Sequence, residues 1–241
     1  MAEYLYGVHA VRAALEAGRV LELRPGADNR RVRDLVRMAR EGGVHVERDS
    51  REGLTLLLGH SRHQGVAALA EEGEDAPVDL EQLVDRARSG EPLLLLVLDG
   101  VKDPHNLGAC LRTADAAGVD AVLAPKDRAS PITPAVRKVA AGGAESVPFV
   151  SVTNLARALK ALKEAGVWVA GLDDAADQAF HELDLKGPLA LVLGGEAEGL
   201  RRLTTEHCDF IGALPMHGSV DSLNVSVATG ICLYEALRQR A

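Results

Sequence analysis

The chain lacks the features that mark several large protein classes. Only three of its 241 residues are cysteine, and Cys110, Cys208 and Cys232 form no C-x-x-C pair, so neither a disulfide framework nor a zinc site is indicated. No apolar run approaches the roughly 18 residues of a membrane-spanning helix. The N-terminus shows no basic-then-apolar secretory leader. We therefore expect a cytoplasmic protein that binds neither a membrane nor a metal.

The usual phosphate-binding loops are also missing. Gly194 and Gly199 have the spacing of a G-x-x-x-x-G loop, but Leu200 and Arg201 stand where a P-loop needs lysine and then Ser or Thr. No G-x-G-x-x-G follows a predicted strand, and two glutamates within the loop would repel a polyphosphate. A loop of backbone groups and carboxylates suits a neutral or cationic ligand, such as a nucleoside that carries a sulfonium. The alternative is that both glutamates are solvated turn residues.

Lysine is absent from residues 1–70, which hold 11 arginines against 9 acidic residues in a chain of net charge −8. Arginine stacks on bases and forks onto phosphates, so a cluster of arginines points to nucleic acid. Five of them lie in one predicted helix: Arg30, Arg31, Arg33, Arg37 and Arg40. We expect Arg30, Arg31 and Arg33 to contact RNA; the alternative is a solvated helix face.

Acidic residues, glycine and proline predict a linker over residues 71–91, between domains at residues 1–70 and 92–241. In the first domain, short apolar runs alternate with helical patterns, which predicts a small α/β unit. Its predicted helices cover residues 8–17, 30–41 and 51–58, and its predicted strands cover residues 20–23, 44–47 and 66–70.

The second domain has continuous apolar strands, which are typical of parallel strands covered on both faces. They are predicted at residues 92–98, 121–124, 146–150, 167–171, 189–193 and 211–214. Helices are predicted at residues 106–117, 133–140, 154–165, 200–207 and 223–240. Asn106 and Ser222 stand at N-cap positions. The last helix carries an apolar stripe of Leu223, Val227, Ile231 and Tyr234. The pattern predicts a doubly wound, mostly parallel sheet.

Three polar segments follow predicted strands of this domain. They read D-x-x-x-D-P-x-N-x-G-x-x-x-R at residues 99–112, L-x-L-G-x-E-x-x-G at 191–199 and L-P-M-x-G-x-x-x-S-L-N-V-S at 214–226. Such turns line the ligand crevice of an open α/β sheet. In this order and spacing they closely resemble the SpoU group of SPOUT RNA 2′-O-ribose methyltransferases, over residues 92–241. Residues 6–66 look like the substrate-binding domain that accompanies this group.

The resemblance implies an α/β fold with a SPOUT-type parallel sheet, a C-terminal trefoil knot and a small N-terminal L30e-like α/β domain. It also implies a homodimer with active sites near the subunit contact. The implied cofactor is S-adenosylmethionine, held at Gly194, Gly195, Leu214, Met216 and Leu223. The family's active-site set falls on Asn106, Arg112, Glu196, Ser222 and Asn224.

The resemblance further implies methylation of the ribose 2′-hydroxyl of a guanosine in 23S ribosomal RNA. The alternatives are the same reaction on transfer RNA, or a catalytically silent RNA-binding or ribosome-assembly protein. Because arginine stays protonated in proteins, we expect Arg112 to hold a phosphate or the developing alkoxide. A loop with Arg62, His63 and Gln64 is expected to contact RNA; the alternative is a plain polar turn.

Overall fold

The chain divides into two compact units, Met1–Pro77 and Val78–Ala241. The computed structural model describes residues 2–71, 78–195 and 199–241. Across these ranges, no helix combines the length and the apolar character needed to cross a membrane.

The first unit is a four-stranded sheet flanked by helices. Its elements are β1 (Ala2–Tyr6), α1 (Val8–Glu16), β2 (Val20–Pro25), α2 (Arg30–Glu41), β3 (His45–Val46), α3 (Arg51–Leu58) and β4 (Val66–Glu71). β4 lies antiparallel between β1 and β2, and β3 adds in parallel beside β2. The sequence pattern missed β1 because this edge strand is mostly exposed and has no buried apolar run.

The second unit contains a six-stranded sheet in which every neighbouring pair is parallel. Its elements are α4 (Leu80–Arg88), β5 (Leu94–Asp99), α5 (Pro104–Ala117), β6 (Ala121–Pro125), α6 (Pro134–Ala140), α7 (Gly143–Ser146), β7 (Phe149–Val152), α8 (Leu155–Glu164), β8 (Trp168–Leu172), a short 3₁₀ helix (Phe180–Glu182), β9 (Leu189–Gly194), α9 (Arg202–Thr205), β10 (Phe210–Gly212) and α10 (Val225–Arg240). The strand order is β10-β8-β9-β5-β6-β7. Separate apolar clusters cover the two faces, one with α5 and α10 and the other with α4 and α8. The predicted doubly wound sheet is confirmed.

The segment expected to be a linker contains helix α4. Residues 72–77 lie outside the described part, but Asp79 caps α4 in a capping box with Gln82. Leu83, Val84 and Ala87 are buried against the second unit. The many charges between residues 71 and 91 hid these three apolar positions, so the expected start of the second domain at residue 92 was wrong.

One strand is shifted from its expected place. Residues 146–150 were predicted as a strand, yet β7 begins at Phe149, after the short helix α7. The residue before a proline is driven out of the helical region, and Val147, which precedes Pro148, is extended. The helix therefore ends at Ser146 and the strand begins later.

Helix α10 has two apolar faces, and the stripe noted in the sequence is not the one that packs into the core. Its buried face comprises Val225, Ala228, Thr229, Cys232, Leu233 and Ala236. The predicted stripe is instead exposed: Leu223, Val227, Ile231 and Tyr234 keep 37–56% of their surface in contact with solvent. An apolar pattern identifies a face that avoids water, but it does not say which neighbour covers that face.

Candidate active site

An open cleft lies at the carboxyl ends of β8 and β9, where parallel α/β sheets bind ligands. Its volume is about 760 Å³ when the open space at its mouth is counted. Its walls include every residue expected to hold the cofactor, namely Gly194, Gly195, Leu214, Met216 and Leu223, together with Ser222. The fold thus brings the second and third sequence motifs together.

Two glycines allow backbone segments to approach closely beside the cleft. A Cβ atom on Gly194 would lie 2.1 Å from the carbonyl carbon of Gly199, and one on Gly195 would lie 2.4 Å from the carbonyl oxygen of Gly100. The Gly195 N–H donates to the Asp99 carbonyl over 2.9 Å, which holds the loop after β9 against the end of β5. Any side chain at either position would force these segments apart.

Two carboxylates in the cleft were missed by the sequence analysis. Asp173 and Asp174 directly follow β8 and belong to the cleft wall, although neither lies in a recognised motif. The Ala175 N–H donates to Asp173 Oδ1 over 2.9 Å, which fixes that carboxylate in a tight turn. Their position could have identified them, because polar residues that follow the carboxyl end of a buried parallel strand lie where such sheets bind ligands.

Asn106 and Asn224 join the first turns of α5 and α10. The Asn224 side-chain amide donates to Asn106 Oδ1 over 3.0 Å. The expected N-caps were wrong: Asp103 accepts the Asn106 N–H (2.8 Å), and Asn224 accepts the Ser226 N–H (2.9 Å). For α5 the reason is Pro104, whose fixed φ lets the helix begin two residues before Asn106.

A buried ion pair fixes the loop that leaves the cleft. The Asp99 side chain is fully buried, and the guanidinium of Arg201 donates to it through Nε (2.6 Å) and also through a terminal nitrogen. The backbone N–H of Arg201 donates to the other carboxylate oxygen over 3.2 Å. Because Asp99 ends β5 and Arg201 follows the loop after β9, these bonds set the position of one motif relative to another.

Two members of the expected active-site set, Arg112 and Glu196, remain to be placed. Arg112 is exposed on α5, and it is not among the described residues that line the cleft. Glu196 lies outside the described residues. The structure therefore brings together Ser222 with the cofactor positions and Asn106 with Asn224.

Two of the residues expected to contact RNA have structural roles. His63 is only 2% exposed; its Nδ1 accepts the Gly65 N–H (3.1 Å), and its Nε2 lies 3.0 Å from the Thr55 hydroxyl. Gln64 accepts the Val8 N–H (2.9 Å) at the start of α1. The His63 side chain is therefore buried, and the half-buried Gln64 side chain holds the start of α1. RNA contact by these two residues stays a prediction. Arg62 is exposed.

The arginines of α2 form an exposed stripe with one exception. Arg30, Arg33, Arg37 and Arg40 are exposed, whereas Arg31 is half-buried. Arg33 pairs with Asp28 (3.4 Å) and Arg37 with Asp34 (3.3 Å). Exposed pairs of this kind are weak, so these arginines can exchange their partners for phosphate.

Among the described residues, one group of side chains has metal-ligand spacing. Ligand atoms of Glu22, His45 and Glu47 lie within 4.8 Å of one another. Arg24 donates to both carboxylates, over 2.5 Å and 2.6 Å, so a guanidinium already balances their charge. The arrangement is an arginine-centred surface network.

The fold and the cleft define an α/β enzyme that binds a nucleoside-type cofactor. Residues 93–234 match the model of the SpoU rRNA Methylase family, and residues 4–76 match the model described as RNA 2'-O ribose methyltransferase substrate binding. The chain belongs to the SpoU rRNA methylase family. It is an RNA 2′-O-methyltransferase that uses S-adenosylmethionine.

Individual relatives are similar over nearly the whole chain. The chain is 52% identical to the 23S rRNA (guanosine-2'-O-)-methyltransferase RlmB of Ralstonia nicotianae, covering 98% of this chain and 96% of the relative. It is 53% identical to the RlmB of Pseudomonas aeruginosa, covering 99% and 97%. Among solved structures, the SpoU methyltransferase AviRb of Streptomyces viridochromogenes in complex with AdoMet matches with a TM-score of 0.59 and 27% identity, over 99% of this chain and 90% of AviRb.

The chemistry of the cleft fits this cofactor. S-adenosylmethionine has an apolar adenine face and a positively charged sulfonium, and the walls offer both apolar side chains and carboxylates. Leu214, Met216 and Leu223 supply apolar surface, while Asp173 and Asp174 supply negative charge. Gly194 and Gly195, at the end of β9, have no side chains, so their backbone groups are accessible in the cleft wall.

Proposed function

We propose that this enzyme methylates the ribose 2′-hydroxyl of one guanosine in 23S ribosomal RNA, in the cytoplasm where ribosomes are assembled. The observation that carries the proposal is the single cleft in which the second and third motifs meet, in a chain about half of whose residues are identical to those of RlmB relatives. The assignment of 23S RNA as the substrate is based on the names of those relatives.

In the proposed site, Leu214, Met216 and Leu223 hold the adenine, and the backbone at Gly194 and Gly195 contacts the rest of the cofactor. When bound, S-adenosylmethionine supplies an activated methyl group. The chain's own residues act on the RNA: Asn106 and Asn224, already joined by a 3.0 Å hydrogen bond, fix geometry together with Ser222 and Glu196. Positioning of this kind can supply a large part of a catalytic barrier.

Arg112 is assigned the electrostatic part of the reaction. A guanidinium remains protonated, so it cannot take the proton of the 2′-hydroxyl. It can donate to a phosphate oxygen and to the oxygen on which negative charge develops, which lowers the barrier most where water is excluded. Its exposure on α5 leaves its donors available to RNA.

The active site is completed in a homodimer. Two observations support this: Arg112 does not line the cleft of its own chain within the described ranges, and the apolar stripe on α10 is exposed. The stripe lies close to Arg112, because a Cβ on Gly230 would lie 3.7 Å from the Thr113 methyl group. A second chain covering the stripe would therefore lie beside Arg112.

The dimer is tested by Ile231→Glu, which places a charge in the stripe. We expect a monomer by light scattering and loss of methyl transfer. Lys160→Glu on α8, an exposed position in the same unit, is the control and should remain dimeric. A dimeric, active Ile231→Glu protein would contradict the assignment.

The proposal extends to chain topology, with a trefoil knot in the second unit and an L30e-like first unit. Strand β9 lies in the interior of the sheet, whereas β10, the next strand along the chain, lies at its edge. From this edge the chain returns as α10, which contacts α5 and β9. This return path supports a knot in which the C-terminal part of the chain is threaded through a loop. Force applied to the two ends should leave the unfolded chain shorter than a full extension of about 3.6 Å per residue; full extension would contradict the knot.

The reaction itself is tested by methyl transfer from labelled S-adenosylmethionine to unmodified 23S RNA and, separately, to unmodified transfer RNA, with the modified nucleotide mapped. We expect label on one guanosine 2′-oxygen of the 23S RNA. Arg112→Lys should lose most activity and still bind the cofactor, and the exposed Arg202→Lys should be unaffected. Label on transfer RNA alone would overturn the substrate, and label on neither would overturn the proposed function.

A further inference from the structure

Tyr6 and His60 form an aromatic pair at the surface of the first unit, with Tyr6 exposed and His60 half-buried. Their ring centroids are 4.4 Å apart in an edge-to-face arrangement, and 43% of Tyr6 is exposed. Aromatic residues make up only 3% of the chain, and neither ring belongs to the buried core of this unit. The stability of the core therefore does not account for the pair.

The loop that carries His60 is fixed by its own hydrogen bonds. Because the Gly65 N–H donates to His63 Nδ1, the neutral His63 ring carries its proton on Nε2 and donates it to the Thr55 hydroxyl, 3.0 Å away. The Arg62 N–H donates to His60 Nδ1 over 3.3 Å, which orients the His60 ring. The loop thus presents His60 and Arg62 in a defined arrangement before any ligand binds.

The same loop is joined to the end of β1. Gln64 has a φ of 53°, a left-handed backbone conformation that is uncommon for a residue other than glycine. In this conformation its side chain accepts the Val8 N–H, and its Oε1 would lie 3.2 Å from a Cβ on Gly7. Strained backbone that the surrounding structure maintains is concentrated at binding sites. The loop therefore lies beside Gly7, the residue that follows Tyr6.

The charge around the pair is positive. The segment 59–65 contains Arg62 and two histidines and no acidic residue. Burial lowers the pKa of His63, and the positive charge of Arg51 lowers that pKa further, so Arg51 and Arg62 are the cationic side chains near this loop. Flat rings with neighbouring arginines are the combination with which proteins bind unpaired RNA bases and their phosphates.

We propose that Tyr6, with His60 packed edge-to-face against it, forms a stacking platform for one unpaired base of the RNA substrate, with Arg62 on the adjoining phosphate. This inference rests on the proposed function, and it names a base-binding position on the first unit. Stacking depends on the face that every base shares, so the platform selects an unpaired nucleotide and not a particular base.

The experiment compares binding of two RNAs, one with the target region of 23S RNA in an open loop and one with that region closed into a duplex. Fluorescence anisotropy gives the Kd for wild type, Tyr6→Ala, Tyr6→Phe and Arg62→Ala. We expect Tyr6→Ala to weaken open-loop binding about tenfold, Tyr6→Phe to change it less than about twofold, and Arg62→Ala to weaken it with a shallower salt dependence. Duplex binding should be similar in wild type and Tyr6→Ala.

Tyr4→Ala is the matched control. Tyr4 is 37% exposed on the same strand and has the same side-chain direction by the two-residue strand period. The guanidinium of Arg24, which interacts with Tyr4, is already paired with three carboxylates and is therefore occupied: those of Glu22, Glu47 and Asp49. We expect Tyr4→Ala to bind open-loop RNA within about twofold of wild type.

The outcomes separate this inference from the proposed function. If wild type methylates 23S RNA and Tyr6→Ala binds the open loop as tightly as wild type, the platform is wrong and the function stands. The platform is also wrong if Tyr6→Ala weakens duplex and open-loop binding equally. If wild type neither binds nor methylates 23S RNA, both fail. A raised KM for RNA with unchanged kcat and unchanged cofactor affinity in Tyr6→Ala and Arg62→Ala supports the platform.

Discussion

Replacement of Arg201 by methionine should damage both the stability and the cofactor affinity of the second unit. The methionine keeps much of the aliphatic packing but removes two donors from the fully buried Asp99 carboxylate, which retains the backbone N–H of residue 201. Breaking a buried ion pair costs about 3–5 kcal/mol. Because Arg201 is about one-third exposed, solvent partly screens the pair, and we expect a loss of roughly 2–3 kcal/mol in the free energy of unfolding.

The effect on the cofactor follows from where the pair is placed. Arg201 ends the loop that lines the cleft, so loss of the guanidinium weakens the attachment of that loop to β5 and leaves only the backbone hydrogen bonds. We expect the Kd for S-adenosylmethionine, measured by calorimetry, to rise about tenfold, which corresponds to about 1.4 kcal/mol. Asp99→Asn combined with Arg201→Met should recover part of the stability, because the buried carboxylate is then neutral.

Arg202→Met provides the comparison for this prediction. Arg202 is adjacent in sequence, is 80% exposed and pairs with Glu206 over 2.5 Å, four residues along the chain. Pairs of this type contribute about 0.3–0.5 kcal/mol. If denaturant unfolding showed Arg201→Met to be no more destabilised than Arg202→Met, the Asp99 pair would not hold the loop and the reasoning would be refuted.

Three further outcomes are expected. Gly195→Ala should abolish cofactor binding in calorimetry, because its Cβ would lie 2.4 Å from the Gly100 oxygen, whereas Gly187→Ala, whose Cβ meets nothing closer than 3.9 Å, should bind normally. The lowered pKa of His63 means that the unfolded chain binds its proton first as pH falls, so stability is full above about pH 6.5 and declines below it; an NMR titration that gave His63 a pKa above 6.5 would contradict this. Burial raises the pKa of Cys208 to about 12, so iodoacetamide at pH 8 should label it far more slowly than free cysteine; equal rates would show the thiol to be accessible and ionised.

The architecture of the second unit was predictable because its strands are buried on both faces. A run such as Leu94–Asp99 has no polar alternation, and only a parallel sheet covered by helices accommodates several such runs. The cleft was predictable for a related reason, since glycine-rich turns after two buried strands must lie at the same edge of the sheet. Asp173 and Asp174 obey the same rule, and they were missed because their turn contains no glycine.

Other features depend on neighbours that the sequence does not identify. His63 and Gln64 are polar residues in a polar loop, and nothing in their spacing indicates that Thr55 and Val8 are their partners. Helix α10 carries apolar residues on two faces, so its period alone could not tell which face meets α5. Such pairings are decided by tertiary packing, which overrides local pattern.

The order of the cleft-forming elements along the chain has a consequence for synthesis. Leu214, Met216, Val225 and Ala228 all follow β10, whereas Leu172 and Leu193 precede it. A growing chain leaves the ribosome N-terminus first and folds unit by unit as it emerges. The first unit can therefore be folded and able to meet RNA while the cofactor site is still incomplete. A nascent chain could then bind ribosomal RNA before it is able to modify it, and the start of catalysis is delayed until α10 has emerged.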